Sequence, residues 1–311
     1  MAKVSFIIPA FNSEATLGEC LDSVFAQGKG TGLFEVLVVD NGSMDRTVAI
    51  STEKGARVLD GPGITVAALR NLGARNALGE ILAFVDSDCV ISENWLRNAV
   101  PAFDDPQVGA AGAPTSVPEN GTWVQRAWYM HRRKSLQREF VEWLPTENLL
   151  VRREIFDKAG GFNESLVTCE DVDLCYRIGK THKILSDPSL VSVHLGEART
   201  LRLFFKKERW RGKGNLKGSL LHGVKADEIP SLLTPLYGAA VSALFLFAVL
   251  RLILVADARV MMATAVLLLF PPVAMAIRTS LRGRSMTYAF PLVILYLVYV
   301  AARTASTFSP K

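Results

Sequence analysis

Apolar runs in this chain are of two kinds: short and closed by polar turns through residue 228, then long from Leu232 onward. Val4–Phe11 (VSFIIPAF) reads as a strand ending at Asn12-Ser13. Ser13 is placed to cap a helix whose inner face carries Thr16, Leu17, Cys20, Leu21 and Val24. Phe34–Asp40 (FEVLVVD) is almost continuously apolar, as expected of a strand covered on both faces. It runs into the turn Asn41-Gly42-Ser43 and a helix over about Met44 to Lys54. Arg57–Leu59 is a third strand, a helix follows over Thr65–Leu78, and Glu80–Val85 (EILAFV) is a fourth strand closing at Asp86-Ser87-Asp88. This β-α-β-α order predicts a largely parallel sheet with right-handed crossovers. Ligands of such sheets sit at the carboxyl ends of the strands, where the polar clusters after the first, second and fourth strands fall.

Beyond Val85 the pattern is less regular. It predicts a helix over Trp123–Phe140, a strand at Asn148–Val151, a turn at Gly160-Gly161-Phe162 and a helix over Val172–Ile178. A last strand, Ile184–Val193, closes at His194. Three long apolar segments follow: Leu232–Ala256, Val260–Ile277 with a kink expected at Pro271-Pro272, and Tyr288–Ala302. The first, at 25 residues, is ample for a hydrocarbon core of about 30 Å; the third, at 15, needs its flanks (286–302) or a re-entrant path.

Charge sharpens the division. The formal net charge is +5 and the pI about 9, yet residues 1–198 are net −7. The excess lies in 199–217, net +7, and in the membrane flanks, net +5. A basic stretch beside apolar spans fits anionic lipid head groups, and no nucleic-acid partner is expected. By the positive-inside rule, the three arginines of Arg278–Arg284 place that loop and the N-terminal domain in the cytoplasm, with Lys311 outside. Cys20, Cys89, Cys169 and Cys175 form no CxxC pair, so reduced cytosolic thiols are expected. Met1-Ala-Lys leads directly into a strand-like run, so no leader is expected.

Asp86 and Asp88 form a D-x-D at a strand end, where two carboxylates can hold a divalent ion that neutralises a diphosphate, the plain alternative being a solvated turn. Asp40 suits a nucleobase edge or ribose, and equally an Asx turn with Asn41-Gly42-Ser43. Trp128-Tyr129 with Arg132-Arg133-Lys134 reads as a helix surface, or as a platform for an acceptor sugar.

Taken in order, VSFIIPAFN, VVDNGSMDRT, ARNALGE–ILAFVDSD, GGFNE and TCEDVDLCYR resemble glycosyltransferase family 2 over roughly residues 3–195. The resemblance implies an inverting enzyme of the GT-A fold, a nucleotide-sugar donor (a UDP-sugar favoured) and Mn²⁺ or Mg²⁺. It assigns the base to Asp40, ribose or metal to Asp86, and metal to Asp88. Backbone at Pro9-Ala10 lines the base pocket, and Arg70 lies near the nucleotide phosphates or base. Glu170-Asp171 matches the family's acidic pair: Asp171 is the expected catalytic base and Glu170 the fallback, with helix capping the plain alternative. His194 stands where related enzymes place a residue near the metal, or is structural. Lys206-Lys-Glu-Arg209-Trp210 resembles the Q-x-x-R-W signature of processive members, with Lys206 in place of glutamine. Arg209 and Trp210 are thus candidates for donor phosphate or acceptor sugar. The alternative is an amphipathic interfacial helix with Leu201, Leu203, Phe204, Phe205 and Trp210 in the lipid interface.

The expected organisation is an α/β catalytic domain over 1–198, a basic juxtamembrane segment over 199–228 and a transmembrane region over 229–311. The expected activity is single sugar transfer to a lipid-linked or membrane glycan acceptor at the cytoplasmic membrane. A polyprenyl-phosphate glycosyltransferase and an inactive membrane scaffold are the alternatives.

Overall fold

The structure, a computed structural model, describes residues 4–28, 34–132, 137–214, 219–220, 228–255, 258–283 and 285–307. Arg133 and Lys134 of the basic run, together with Ala256, Arg284 and Lys311, lie outside these. The chain divides into two compact units, Met1–Pro118 with Ser135–Gly196, and Glu119–Lys134 with Glu197–Lys311.

The first unit is built on strands β1 (Val4–Ala10), β2 (Phe34–Asp40), β3 (Arg57–Asp60), β4 (Ile81–Val85), β6 (Val108–Gly112), β7 (Glu139–Val141), β8 (Asn148–Arg152) and β9 (Lys183–Ser186). They form one sheet in the order β3-β2-β1-β4-β8-β6-β9-β7. Strands β3, β2, β1 and β4 are mutually parallel, β8 runs antiparallel to both its neighbours, and β7 runs antiparallel to β9. The expected parallel β-α-β-α start is present, with α1 (Leu17–Phe25), α2 (Thr47–Glu53) and α3 (Val66–Asn76) as crossovers. Two apolar clusters cover the two faces of the sheet: Phe6, Ile8, Leu21 and Trp95 belong to one, and Ile7, Leu37, Phe84 and Phe156 to the other. Alternate residues of β1 thus enter opposite cores, which is why that strand reads as unbroken apolar sequence.

Three sequence expectations are corrected. The helix expected over 123–140 is α5 (Trp123–Arg132), and Phe140 belongs to strand β7. The single last strand is two, because Asp187-Pro188-Ser189 breaks it with turns that β9 cannot cross. Its second half, β10 (Ser192–His194), leaves the main sheet and pairs antiparallel with β5 (Cys89–Ile91), His194 opposite Cys89. Short helices α4 (Trp95–Ala99) and α6 (Arg153–Lys158) were not anticipated, whereas α7 (Glu170–Gly179) was.

The second unit holds α5, α8 (Leu201–Gly212), α9 (Ile229–Val255), α10 (Arg259–Arg282) and α11 (Ala289–Thr307). Ile229–Val255, Arg259–Arg282 and Met286–Thr307 are each long and apolar enough to cross a membrane, with mean hydropathies of 2.4, 2.2 and 1.6. The third gains its length from flanking residues, as its 15-residue apolar stretch required. Trp128 is only 6% exposed, packed by His131, Phe204, Tyr296 and Tyr299, so it is not a free sugar platform. Nor does α8 present its whole apolar set outward, since Phe204 and Glu208 are buried while Leu203 and Trp210 are exposed. Glu208, 1% exposed, accepts from Arg211 at 2.7 Å and from Arg303 of α11 at 2.9 Å. Glu197 is met by Arg132, by Lys207 at 3.2 Å and by Arg211 at 3.7 Å.

Candidate active site

Parallel pairing sets Ala10 beside Asp40 at the carboxyl ends of β1 and β2, with β4 ending next to β1. Pro9 and Ala10 are buried there, and the Asn41 amide donates to the Ala10 carbonyl at 2.9 Å. Asp40 folds its carboxylate onto its own turn. It accepts from the Gly42 and Ser43 amides at 3.0 and 2.9 Å and from the Ser43 hydroxyl at 2.5 Å. The Asx-turn reading therefore holds, and Gly42 takes the left-handed conformation (φ 82°) that the turn needs.

Asp86 and Asp88 point in different directions. Arg70, on α3 and 3% exposed, donates through Nη2 to Asp86 Oδ1 and through Nη1 to Glu170 Oε1, both at 2.7 Å. Arg70, expected near the nucleotide phosphates or base, makes a buried bridge between the D-x-D and the acidic pair. Burial pushes the Asp86 carboxyl up, with Arg70 opposing and Asp88 and Glu147 reinforcing. Asp88 Oδ2 lies 3.0 Å from His194 Nε2. The β5–β10 ribbon and the Leu195 amide, which donates to the Asp88 carbonyl at 2.8 Å, fix that contact. Gly196 packs so tightly on Asp88 that a Cβ there would fall 1.9 Å from Oδ2.

Glu147, which sequence reasoning missed, faces His194 Nδ1 at 3.6 Å through Oε2, while its Oε1 accepts from the Thr115 hydroxyl at 2.5 Å. Continuing the antiparallel register beyond Val85↔Asn148 sets Glu147 beside Asp86. A carboxylate behind a histidine fixes its tautomer and orients the other nitrogen. Geometry also adds Cys89: ligand atoms of Asp88, Cys89 and His194 lie within 4.8 Å of one another.

Glu170 and Asp171 begin α7, after Cys169 in a left-handed conformation (φ 68°). Glu170 gives its carboxylate to Arg70 and not to the helix end; Asp171 Oδ1 accepts from the Val172 amide at 2.8 Å. Burial, and then the neighbouring Glu170, push Asp171 up to about 7. Arg209 and Trp210 belong to the second unit, both exposed on α8.

The charge balance is what a divalent ion would correct. Asp86, Asp88, Glu147, Glu170 and Asp171 gather around one buried guanidinium and one histidine. Asp88 and His194, backed by Glu147, supply the oxygen and nitrogen donors such an ion takes, so the residues fit a metal centre.

Residues 5–161 match the family Glycosyl transferase family 2, and the chain belongs to it. Among curated relatives, glycosyltransferase AglE of Haloferax volcanii is 28% identical over 74% of this chain and 78% of its own length. The beta-monoglucosyldiacylglycerol synthase of Nostoc sp. is 27% identical over 56% of this chain but only 41% of its own length. A mannosyltransferase from Pyrobaculum calidifontis, solved with GDP-Man and Mn²⁺, shares the fold at TM-score 0.61 and 18% identity, covering 98% of this chain and 87% of that one. The chain thus joins a family 2 glycosyltransferase domain, in the GT-A arrangement expected from its sequence, to three helices long and apolar enough to cross a membrane.

Proposed function

We propose that this chain is an inverting, metal-assisted transferase. It would move a sugar from a nucleotide diphosphate donor to a lipid-linked or membrane glycan acceptor at the cytoplasmic membrane face. The observation that carries the reading is the Arg70 bridge. One guanidinium joins the D-x-D carboxylate Asp86 to Glu170, whose neighbour Asp171 is poised near neutrality. Inversion by single displacement needs a base for the acceptor hydroxyl and charge neutralisation for the departing diphosphate. Asp171 suits the first need, because a carboxylate titrating near 7 both exists as a base and accepts a proton with little uphill cost. Asp88 and His194, with Asp86 adjacent, would hold Mn²⁺ or Mg²⁺, which supplies Lewis-acid stabilisation of the leaving group.

Asp40, Pro9 and Ala10 would shape the nucleoside pocket at the β1–β2 edge. Arg209 and Trp210 are donor candidates by resemblance alone. The exposed Arg202, Lys206 and Arg209 of α8 and Lys213 just after it, interleaved with Leu203 and Trp210, suit anionic head groups. A lipid acceptor is supported by the diacylglycerol-glycosylating relative, and an amphiphilic acceptor explains why a sugar transferase carries its own anchor.

The test is nucleotide diphosphate release by the detergent-purified protein across UDP-, GDP- and dTDP-sugars, with Mn²⁺, Mg²⁺ or EDTA and with membrane lipid extract. Release from one donor, dependent on metal and lipid and lost in Asp88→Ala and Asp171→Asn, is expected. Full activity of Asp171→Asn would shift the reading to a polyprenyl-phosphate acceptor, which is already ionised and needs no base.

A further inference from the structure

The donor-metal reading leaves one neighbour unexplained. Cys89 follows Asp88 directly, is fully buried, and sits opposite His194 in the antiparallel β5–β10 ribbon. Directly opposed residues of such a ribbon project to the same face, so the thiol and the imidazole share a side. Cys89 Sγ lies 3.8 Å from Asp88 Oδ1, and His194 Nε2 lies 3.0 Å from Asp88 Oδ2. A tetrahedral zinc-type ion, with bonds of about 2.0–2.3 Å, holds neighbouring ligand atoms roughly 3.3–3.6 Å apart. The ligand atoms of the three side chains, one oxygen, one sulfur and one nitrogen, all lie within 4.8 Å of one another, so small side-chain rotations bring them to that spacing.

That donor set differs from what Mn²⁺ or Mg²⁺ selects. Those ions favour oxygen ligands and six-fold geometry, whereas thiolate selects softer ions, and zinc outranks manganese for a mixed N/O/S site. We propose that Asp88, Cys89 and His194 form a tetrahedral site for a thiophilic divalent ion of the zinc class, which competes at this centre with the oxygen-seeking donor metal. On binding, the Cys89 thiol releases its proton to solvent and a sulfur–metal bond forms, with no change of oxidation state. Three protein ligands leave one open position, so the zinc-type form offers a diphosphate fewer coordination places than a six-coordinate ion does. Zinc is then an inhibitor acting at the donor site itself. The inference rests on the proposed metal centre.

Metal-stripped full-length protein in detergent is titrated with Co²⁺ while the near-ultraviolet thiolate-to-cobalt charge-transfer band is followed. Mn²⁺ binding is measured separately by electron paramagnetic resonance, with Zn²⁺ as competitor. The band should appear in the wild type and vanish in Cys89→Ser and Cys89→Ala, both of which keep Mn²⁺ binding. Even outer-shell partners are worth about 10–100-fold in metal affinity, so losing this ligand should weaken Zn²⁺ by at least about tenfold. Equal Zn²⁺ affinity with and without the thiol, or Co²⁺ bound without the band, overturns the proposal. Should both variants fail to fold, absence of the band or of Zn²⁺ competition in the wild type still overturns the proposal. Absence of Mn²⁺ binding in the wild type would instead refute the donor-metal reading beneath it.

Discussion

Gly196 sits where a single added methyl group would strike Asp88. Its backbone is not left-handed, so alanine fits the local conformation without strain. What alanine lacks is room: its Cβ would lie 1.9 Å from Asp88 Oδ2 and 2.9 Å from Cγ. Ordinary carbon contacts begin near 3.4 Å, so the carboxylate must retreat by roughly 1.5 Å. The backbone cannot yield instead, because the Leu195 amide is bonded to the Asp88 carbonyl and His194 is paired with Cys89. A retreat of that size breaks the 3.0 Å contact with His194 and takes the proposed metal oxygen out of place. Misplacement by about 1 Å costs on the order of 100-fold in rate, about 2.7 kcal/mol at the transition state. Gly196→Ala should therefore lose about 100-fold in nucleotide diphosphate release and bind Mn²⁺ more weakly, while its melting temperature stays near wild type. Paired Mn²⁺ titrations, initial rates and thermal melts separate these quantities. Wild-type Mn²⁺ affinity and rate in a folded Gly196→Ala would refute the assignment of Asp88 to the metal.

Four further outcomes test the rest of the site and the anchor. Because Asp171 must be ionised to act as base, kcat/KM should rise with pH through about 7; Glu170→Gln, which removes a charge raising that value, should move the limb to lower pH, and an unmoved limb would disprove the coupling. The same elevation has a stability consequence: between its ordinary range and about 7 the folded state binds more protons than the unfolded, so stability falls as pH rises through that window. Metal-free Asp171→Asn should consequently melt higher than wild type at pH 8, and the gain should disappear near pH 4; a lower melt at pH 8 would contradict it. Glu147→Ala should weaken Mn²⁺ by about 10–100-fold, and retention of full affinity would show that Glu147 does not orient His194. Glu208→Gln leaves Arg303 without its buried counter-charge, while Arg211 keeps Glu197, and should destabilise the anchor by about 3–5 kcal/mol in a detergent melt, whereas an unchanged melt would mean the network carries no stability.

Much of this site is legible in the sequence where the chain obeys one rule. Asp40 and Asp86 were found because they follow the carboxyl ends of parallel strands, where apolar runs stop abruptly at polar residues. Glu147 escaped because β8 runs antiparallel, so its amino end, not its carboxyl end, reaches that edge of the sheet. Thr146-Glu147 before the apolar Asn148–Val151 was the available signal, but using it requires knowing the direction of the strand. The β5–β10 ribbon was equally hidden: three-residue strands carry too little alternation to read, and the pairing joins segments about a hundred residues apart. Gly196 and Cys89 matter only through that ribbon. In the second unit, composition revealed the spans, whereas the burial of Trp128 and Glu208 depends on which face of each helix meets another, and the sequence pattern left this open.

The arrangement runs against fold stability, and the opposition is informative. Proteins bury charge at a cost of several kcal/mol per ion unless it is paired. Here Arg70 is shared by Asp86 and Glu170, while Asp88 and Glu147 meet a histidine and a hydroxyl and Asp171 meets a backbone amide. A structural core would have replaced such a cluster with apolar side chains, as the sheet does on both faces elsewhere. Arg70 also joins Asp86 to Glu170, so the D-x-D and the residue before the proposed base are positioned by one buried group. Moving that guanidinium would disturb both carboxylates together, so the bridge would set the geometry between the proposed metal centre and the proposed base more directly than a residue that touches one alone.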